Sequence, residues 1–137
     1  MASISCSTAP GFILLVIASL LTVTQANTVV VGGSENWRYG FNYTDWAIKN
    51  SPFYIHDTLV FKYESPHNIY LLPNLWSYLT CDFSKAKLLA NPKQGRKDGF
   101  AVVINQWRPY YFASGQGDDC KIGMMKFVAV PWPRLTH

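Results

Sequence analysis

Tyr110–Met125 reads Y-Y-F-A-S-G-Q-G-D-D-C-K-I-G-M-M. An aromatic strand (Tyr110, Tyr111, Phe112) enters a polar Gly/Asp turn, passes Cys120 and leaves through Gly123-Met124. This is the form of a metal-binding hairpin loop between the last two strands of a β-sandwich. A blue-copper centre takes two imidazoles, one thiolate and a weak axial Met, Gln or backbone oxygen. Where such a loop would offer its thiolate and an imidazole, this one has Ser114 and Asp119. The scaffold reads as intact and the redox centre as missing.

Working outward, short β-rich runs between turn residues dominate the chain. Thr28–Val31 stops at Gly32-Gly33 and reads as the opening strand. Asp57–Tyr63 alternates, with Leu59, Phe61 and Tyr63 on one face. His67–Leu72 follows a Ser65-Pro66 turn, and Phe100–Ile104, Tyr110–Phe112 and Lys126–Val130 complete the strands. Tyr43–Lys49 is the best helical segment, with Thr44 or Asp45 as its cap. Leu75–Thr80 fits a short helix or irregular chain, and Asn91–Gly99 is a polar loop rich in breakers. About seven strands in roughly 110 residues predict an all-β, Greek-key β-sandwich with one or two short helices. The five Trp, eight Tyr and eight Phe are expected mostly in the core, because a small domain needs the area they bury.

Residues 1–26 carry no charge, and Gly11–Val23 is apolar, with Thr24 and Ala26 at the −3 and −1 positions of a cleavage site. This predicts a secretory signal peptide over 1–26 and one domain over 27–137. The apolar run is short of the roughly 20 residues of a spanning helix. The C-terminal P-W-P-R-L-T-H supplies no GPI-anchor signal. Once Cys6 is removed, Cys81 and Cys120 remain, and an oxidising compartment predicts one disulfide. It would close a loop of about forty residues, worth roughly 3–4 kcal/mol. Asn42-Tyr43-Thr44 is the single N-glycosylation sequon after residue 26.

The formal charge of +4 gathers partly in Lys85, Lys87, Lys93, Arg96 and Lys97. Such a cluster is either a solvated loop or a surface for an acidic partner, such as an anionic polysaccharide, a phospholipid or an acidic protein. No nucleic-acid module is present. Ser114-Gly115 lacks the G-x-S-x-G elbow of a nucleophile, and Asp118-Asp119 are merely sequence neighbours. Gly115-Gln116-Gly117 precedes no helix and no Lys-Ser/Thr, so it is not a phosphate loop. Zinc is disfavoured because both cysteines serve the disulfide.

The ordered set V-V-G-G-S-E-N-W, Y-T-D-W-A, D-T-L-V-F-K-Y, P-H-N-I and Y-Y-F-A-S-G…C-K-I-G-M resembles the plant phytocyanins, which include plantacyanins, stellacyanins, uclacyanins and early-nodulin-like proteins. The likeness spans Thr28–Val130 and implies a secreted cupredoxin domain with a Cys81–Cys120 disulfide. It places His67 at the first imidazole, Ser114 at the thiolate, Asp119 at the second imidazole and Met124 at the axial ligand. Two of the four positions match and two depart, as in the early-nodulin-like branch. His67 and Met124 then read as vestigial ligands. Taken from the residues alone, His67 is equally a half-exposed strand start, Met124 and Met125 are core residues, and Asp118-Asp119 form a polar hairpin tip capping turn amides.

The function expected is a non-enzymatic extracellular or cell-surface binding protein, monomeric and without copper. Its partner would be a glycan or a protein, met around His67, Ser114–Asp119 and Met124. The alternative is a copper-binding electron carrier.

Overall fold

The computed structural model describes residues 26–134, so the expected signal segment lies outside the described residues apart from Ala26. Nine strands form three sheets. β1 (Thr28–Val30) pairs in parallel with β3 (Thr58–Phe61), and β3 pairs antiparallel with β6 (Phe100–Val103). The second sheet has the order β5 (Lys87–Ala90), β4 (Ile69–Leu72), β7 (Tyr110–Ala113), β8 (Lys126–Ala129), all antiparallel. A two-stranded ribbon joins β2 (Phe53–Tyr54) to β9 (Pro131–Trp132). The all-β sandwich expected from the turn spacing is the fold observed, although three strands were not predicted. β2 and β9 have two residues each, and β5 begins with exposed Lys87 and Leu88, so none of them alternates.

Between the larger sheets lies an aromatic core. Leu59, Phe61 and Tyr63 all face it, as their alternation predicts. Phe61 meets Phe112 edge-on at 5.2 Å between ring centroids, Phe112 and Phe127 lie tilted at 5.2 Å, and Trp37 meets Phe61 edge-on at 5.3 Å. Edge-to-face and offset pairs at these spacings add roughly 0.5–1.5 kcal/mol each beyond burial. The expectation that aromatics are core holds for Trp37 and Trp46 but not for Trp76, Trp107 and Trp132, which are exposed.

Helix α1 (Tyr43–Asn50) covers one end of β8 by burying Tyr43, Trp46 and Ala47, one face at helical spacing. Its cap is Asn42, not Thr44 or Asp45: the Asn42 carboxamide accepts from the Asp45 amide at 3.0 Å. Leu75–Thr80 is helical (α2), capped by Asn74, whose Oδ1 accepts from Ser77 N at 2.8 Å.

Candidate functional site

Three chain segments meet at one end of the larger sheet. His67 and Asn68 precede β4, Ser114 follows β7, and the β7–β8 loop carries Asp119. Pairing of β4 with β7 (Tyr70 opposite Ala113) brings residues some fifty positions apart together. Disulfide Cys81–Cys120, with Cα atoms 6.0 Å apart, anchors the loop to the C-terminus of α2, as expected.

Asp119 is the centre of this cluster. Its Oδ2 accepts from the Ser114 hydroxyl at 2.7 Å and from His67 Nδ1 at 2.7 Å. Ser114 is fully buried and Asp119 is 5% exposed. The reading of Asp118-Asp119 as a polar tip therefore holds only for Asp118, whose exposed side chain leaves the carbonyl to accept from Ile122 N and Gly123 N. Asp119 is turned inward because two donors wait there; a lone carboxylate would not stay buried. A ring that donates from Nδ1 to a carboxylate keeps Nε2 as its remaining polar atom.

Asn68, which the sequence reading left without a role, closes the cluster. Its Oδ1 accepts from Gly115 N at 2.7 Å, and its backbone carbonyl accepts from Trp37 Nε1 at 3.0 Å. Tyr39 is the other residue missed: its ring packs against Gly123, where an added Cβ would lie 2.4 Å from it. Its phenol is pushed above the ordinary value by burial first, then by Asp118 and Asp119. The sole sequence signal for Asn68 was its place in the P-H-N-I run; Tyr39 had none.

Of the four ligand-equivalent positions, the structure gathers His67, Ser114 and Asp119 through hydrogen bonds. Met124 is not core: it is 42% exposed, and its backbone is left-handed at φ 59°. Met125 is the methionine that fills the core, fully buried, while its amide donates to the Asp119 carbonyl at 3.0 Å. The surface around the site is thus formed by His67, Tyr39, Gln116, Asp118 and Met124, not by Ser114 or Asp119. His67 also walls a groove of about 340 Å³ that Glu35, Arg38, Lys62, Glu64 and Lys97 line.

Ser, Asp and His in contact invite comparison with a hydrolase, but the order of contacts is wrong. A nucleophile needs a base on its own hydroxyl; here the Ser114 proton points at Asp119, as does the His67 proton. Asn42, the sequon residue, is exposed, and its cap bond engages Oδ1, leaving Nδ2 to solvent.

The sequence matches the plastocyanin-like domain family over residues 36–124. Early nodulin-like protein 2 of Arabidopsis thaliana is 35% identical over 126 residues, covering 90% of this chain and 34% of that protein. Early nodulin-like protein 16 of the same plant is 34% identical, over 80% of this chain and 64% of its own length. Early nodulin-55-2 of Glycine max is 29% identical, over 95% and 70%. The chain thus spans from about a third to about two thirds of the length of several curated relatives. Among solved structures, cucumber basic protein, a blue copper protein, superposes with a TM-score of 0.62 at 26% identity, over 77% of this chain and 99% of that one. Cucumber stellacyanin with Cu2+ shares the fold, at a TM-score of 0.65 and 21% identity, over 80% of this chain and 99% of its own.

Proposed function

The chain belongs to the phytocyanin family of plastocyanin-like domains, and from that premise we propose that it is a secreted, non-enzymatic binding domain whose metal position has become a hydrogen-bonded strut. The observation that carries this reading is the pair of 2.7 Å contacts on Asp119 Oδ2. Ligand atoms held about 2.0 Å from one tetrahedral metal lie about 3.3 Å from each other. His67 Nδ1 and Asp119 Oδ2 stand 2.7 Å apart, joined by a hydrogen bond.

The donor set does not fit type 1 copper. Ser114 supplies a hydroxyl that stays protonated near neutrality, Asp119 supplies a hard oxygen, and Met124 alone is soft. Among the described residues no thiolate is available, because Cys120 is bonded to Cys81. Secretion is supported by the disulfide and by the sequon asparagine standing exposed on a helix cap. Among the described residues no helix is long and apolar enough to cross a membrane. The partner is an extracellular glycan or protein, and the domain acts as a monomer.

Retention of His67 and Met124 keeps one alternative in play, a copper-binding electron carrier. Copper titration of the disulfide-intact protein, read by visible absorption and electron paramagnetic resonance, decides between them. The binding-domain reading expects no intense thiolate-to-copper band and no type 1 resonance. A blue protein would overturn it.

A further inference from the structure

The clustered cations of the sequence separate in space, and two of them find a third that the sequence reading did not group with them. Lys85 and Lys87 converge with Arg108 on a concave site of about 250 Å³ floored by Leu71, Leu72 and Pro109. It lies at the opposite end of the β4–β7 pair from His67 and Ser114, since Leu72 sits opposite Tyr111 while Tyr70 sits opposite Ala113. No carboxylate lines it, and among the described residues none of the three cations makes an ion pair. Asp82, which senses Lys85, is held below its ordinary value chiefly by hydrogen bonds from Ser84 and only lastly by that lysine.

We propose that this site binds an acidic saccharide, taking a uronate carboxylate between Arg108 and the two lysines. Three features select that ligand. Three unpaired cations around one concavity demand an anion, and a planar guanidinium takes a carboxylate with two parallel hydrogen bonds. An apolar floor suits the C–H face of a sugar ring. Trp107, next to Arg108 in the chain, does not line the hollow but is 65% exposed, which leaves an aromatic side chain open to a saccharide extending beyond it.

The geometry is also held in advance of binding. Lys87 is fixed on β5 opposite Leu71. The loop carrying Trp107 and Arg108 is pinned by the Tyr110 hydroxyl, which accepts from Asn105 N at 3.2 Å and Gln106 N at 3.0 Å, while Arg108 N donates to the Gln106 carbonyl at 3.0 Å. Preorganised groups lose less freedom on binding. A membrane would meet these cations on a protruding face, whereas here they ring a hollow.

This inference is independent of the copper reading, so either can fail alone. The test is calorimetric titration of the disulfide-intact protein with an unesterified oligogalacturonate, beside its methyl-esterified form. Binding of the acid form alone is expected, with affinity falling tenfold or more in K87Q/R108Q and severalfold in W107A. The control K93Q/K97Q removes the same formal charge from the Asn91–Gly99 loop and is expected to bind within twofold of the unmodified protein. Equal loss in the control would reduce the effect to net charge and overturn the site. So would indifference to esterification, or binding that K87Q/R108Q abolishes for phosphatidylserine vesicles but not for the saccharide. Unchanged thermal midpoints of the variants separate lost binding from lost folding.

Discussion

Replacing Asp119 by alanine removes one acceptor and strands two donors, and its cost follows from where those donors sit. Ser114 is fully buried, so its hydroxyl loses its best partner with no water to replace it. It can turn only toward Asn68 Oδ1, already 3.4 Å away and engaged by Gly115 N. A buried donor left unsatisfied costs about 1–3 kcal/mol. His67, with 18% of its side chain exposed, recovers part of its loss from solvent and belongs at the lower end. The expected total is about 2–4 kcal/mol, a fall in melting temperature of about 10–20 °C for a domain of this size. Asp118→Ala, one residue away and exposed, is expected to change stability by less than about 0.5 kcal/mol.

A double-mutant cycle isolates the network from the general cost of a core change. Ser114→Ala alone takes away one hydrogen bond but leaves Asp119 its His67 partner, for a loss of about 1 kcal/mol. In the Ser114→Ala/Asp119→Ala protein the stranded hydroxyl no longer exists, so the double change costs less than the sum by about 1 kcal/mol or more. Urea denaturation of the four disulfide-intact proteins measures each corner. Strict additivity, or an Asp119→Ala protein as stable as the unmodified one, would refute the strut. Cu(II) belongs in the same assay: a ligand present at a hundred times its dissociation constant raises stability by about 2.7 kcal/mol. No such rise is expected.

Asn42 caps α1 and also heads the sequon. Asn42→Ala is expected to lose both the glycan and the α1 cap, at about 1 kcal/mol, whereas Thr44→Ala destroys the sequon and keeps the cap bond to Asp45. Mass spectrometry of both secreted proteins, with their melting curves set beside that of the deglycosylated unmodified protein, tells the two apart. Asp57, 2% exposed, accepts from Asn27 N at 3.1 Å, Tyr54 N at 2.9 Å and Arg134 at 2.5 Å. Asp57→Ala therefore leaves a cation and two amides without their acceptor and is expected to cost about 3–5 kcal/mol in denaturant unfolding. Cleavage after Ala26 would make the Asn27 nitrogen an ammonium facing that carboxylate. A chain starting at Asn27 is accordingly expected to be more stable than one retaining Ala26, and equal stability would argue against that ion pair.

What the sequence disclosed, and what it hid, divides along chain distance. Leu59, Phe61 and Tyr63 announced their shared face because strand alternation is local, and Tyr43–Lys49 announced a helix, although its buried face of Tyr43, Trp46 and Ala47 was not read. Ser114 and Asp119 were legible as departures because they stand five residues apart within one loop. Their bond to each other depended on the conformation of that loop, and the bond to His67 across fifty-two residues on β4 pairing with β7 in one register. Arg108 was missed for the same reason, while Lys93 and Arg96, near Lys85 in sequence, belong to a loop where Arg96 faces Glu64 at 3.7 Å.

The substitutions also have a joint logic that neither shows alone. Serine at the thiolate position would be a buried donor with nothing to bond, and aspartate at the imidazole position a buried charge with nothing to neutralise it. Placed together, and beside a histidine, each supplies what the other lacks. A metal ion ties segments by accepting electron pairs from several donors at once. Asp119 ties the segment before β4 to its own loop by accepting hydrogen bonds from His67 and Ser114. On the proposed reading, losing the centre need not loosen this end of the sandwich, and the surface above it is free to be shaped by a partner rather than by a coordination sphere.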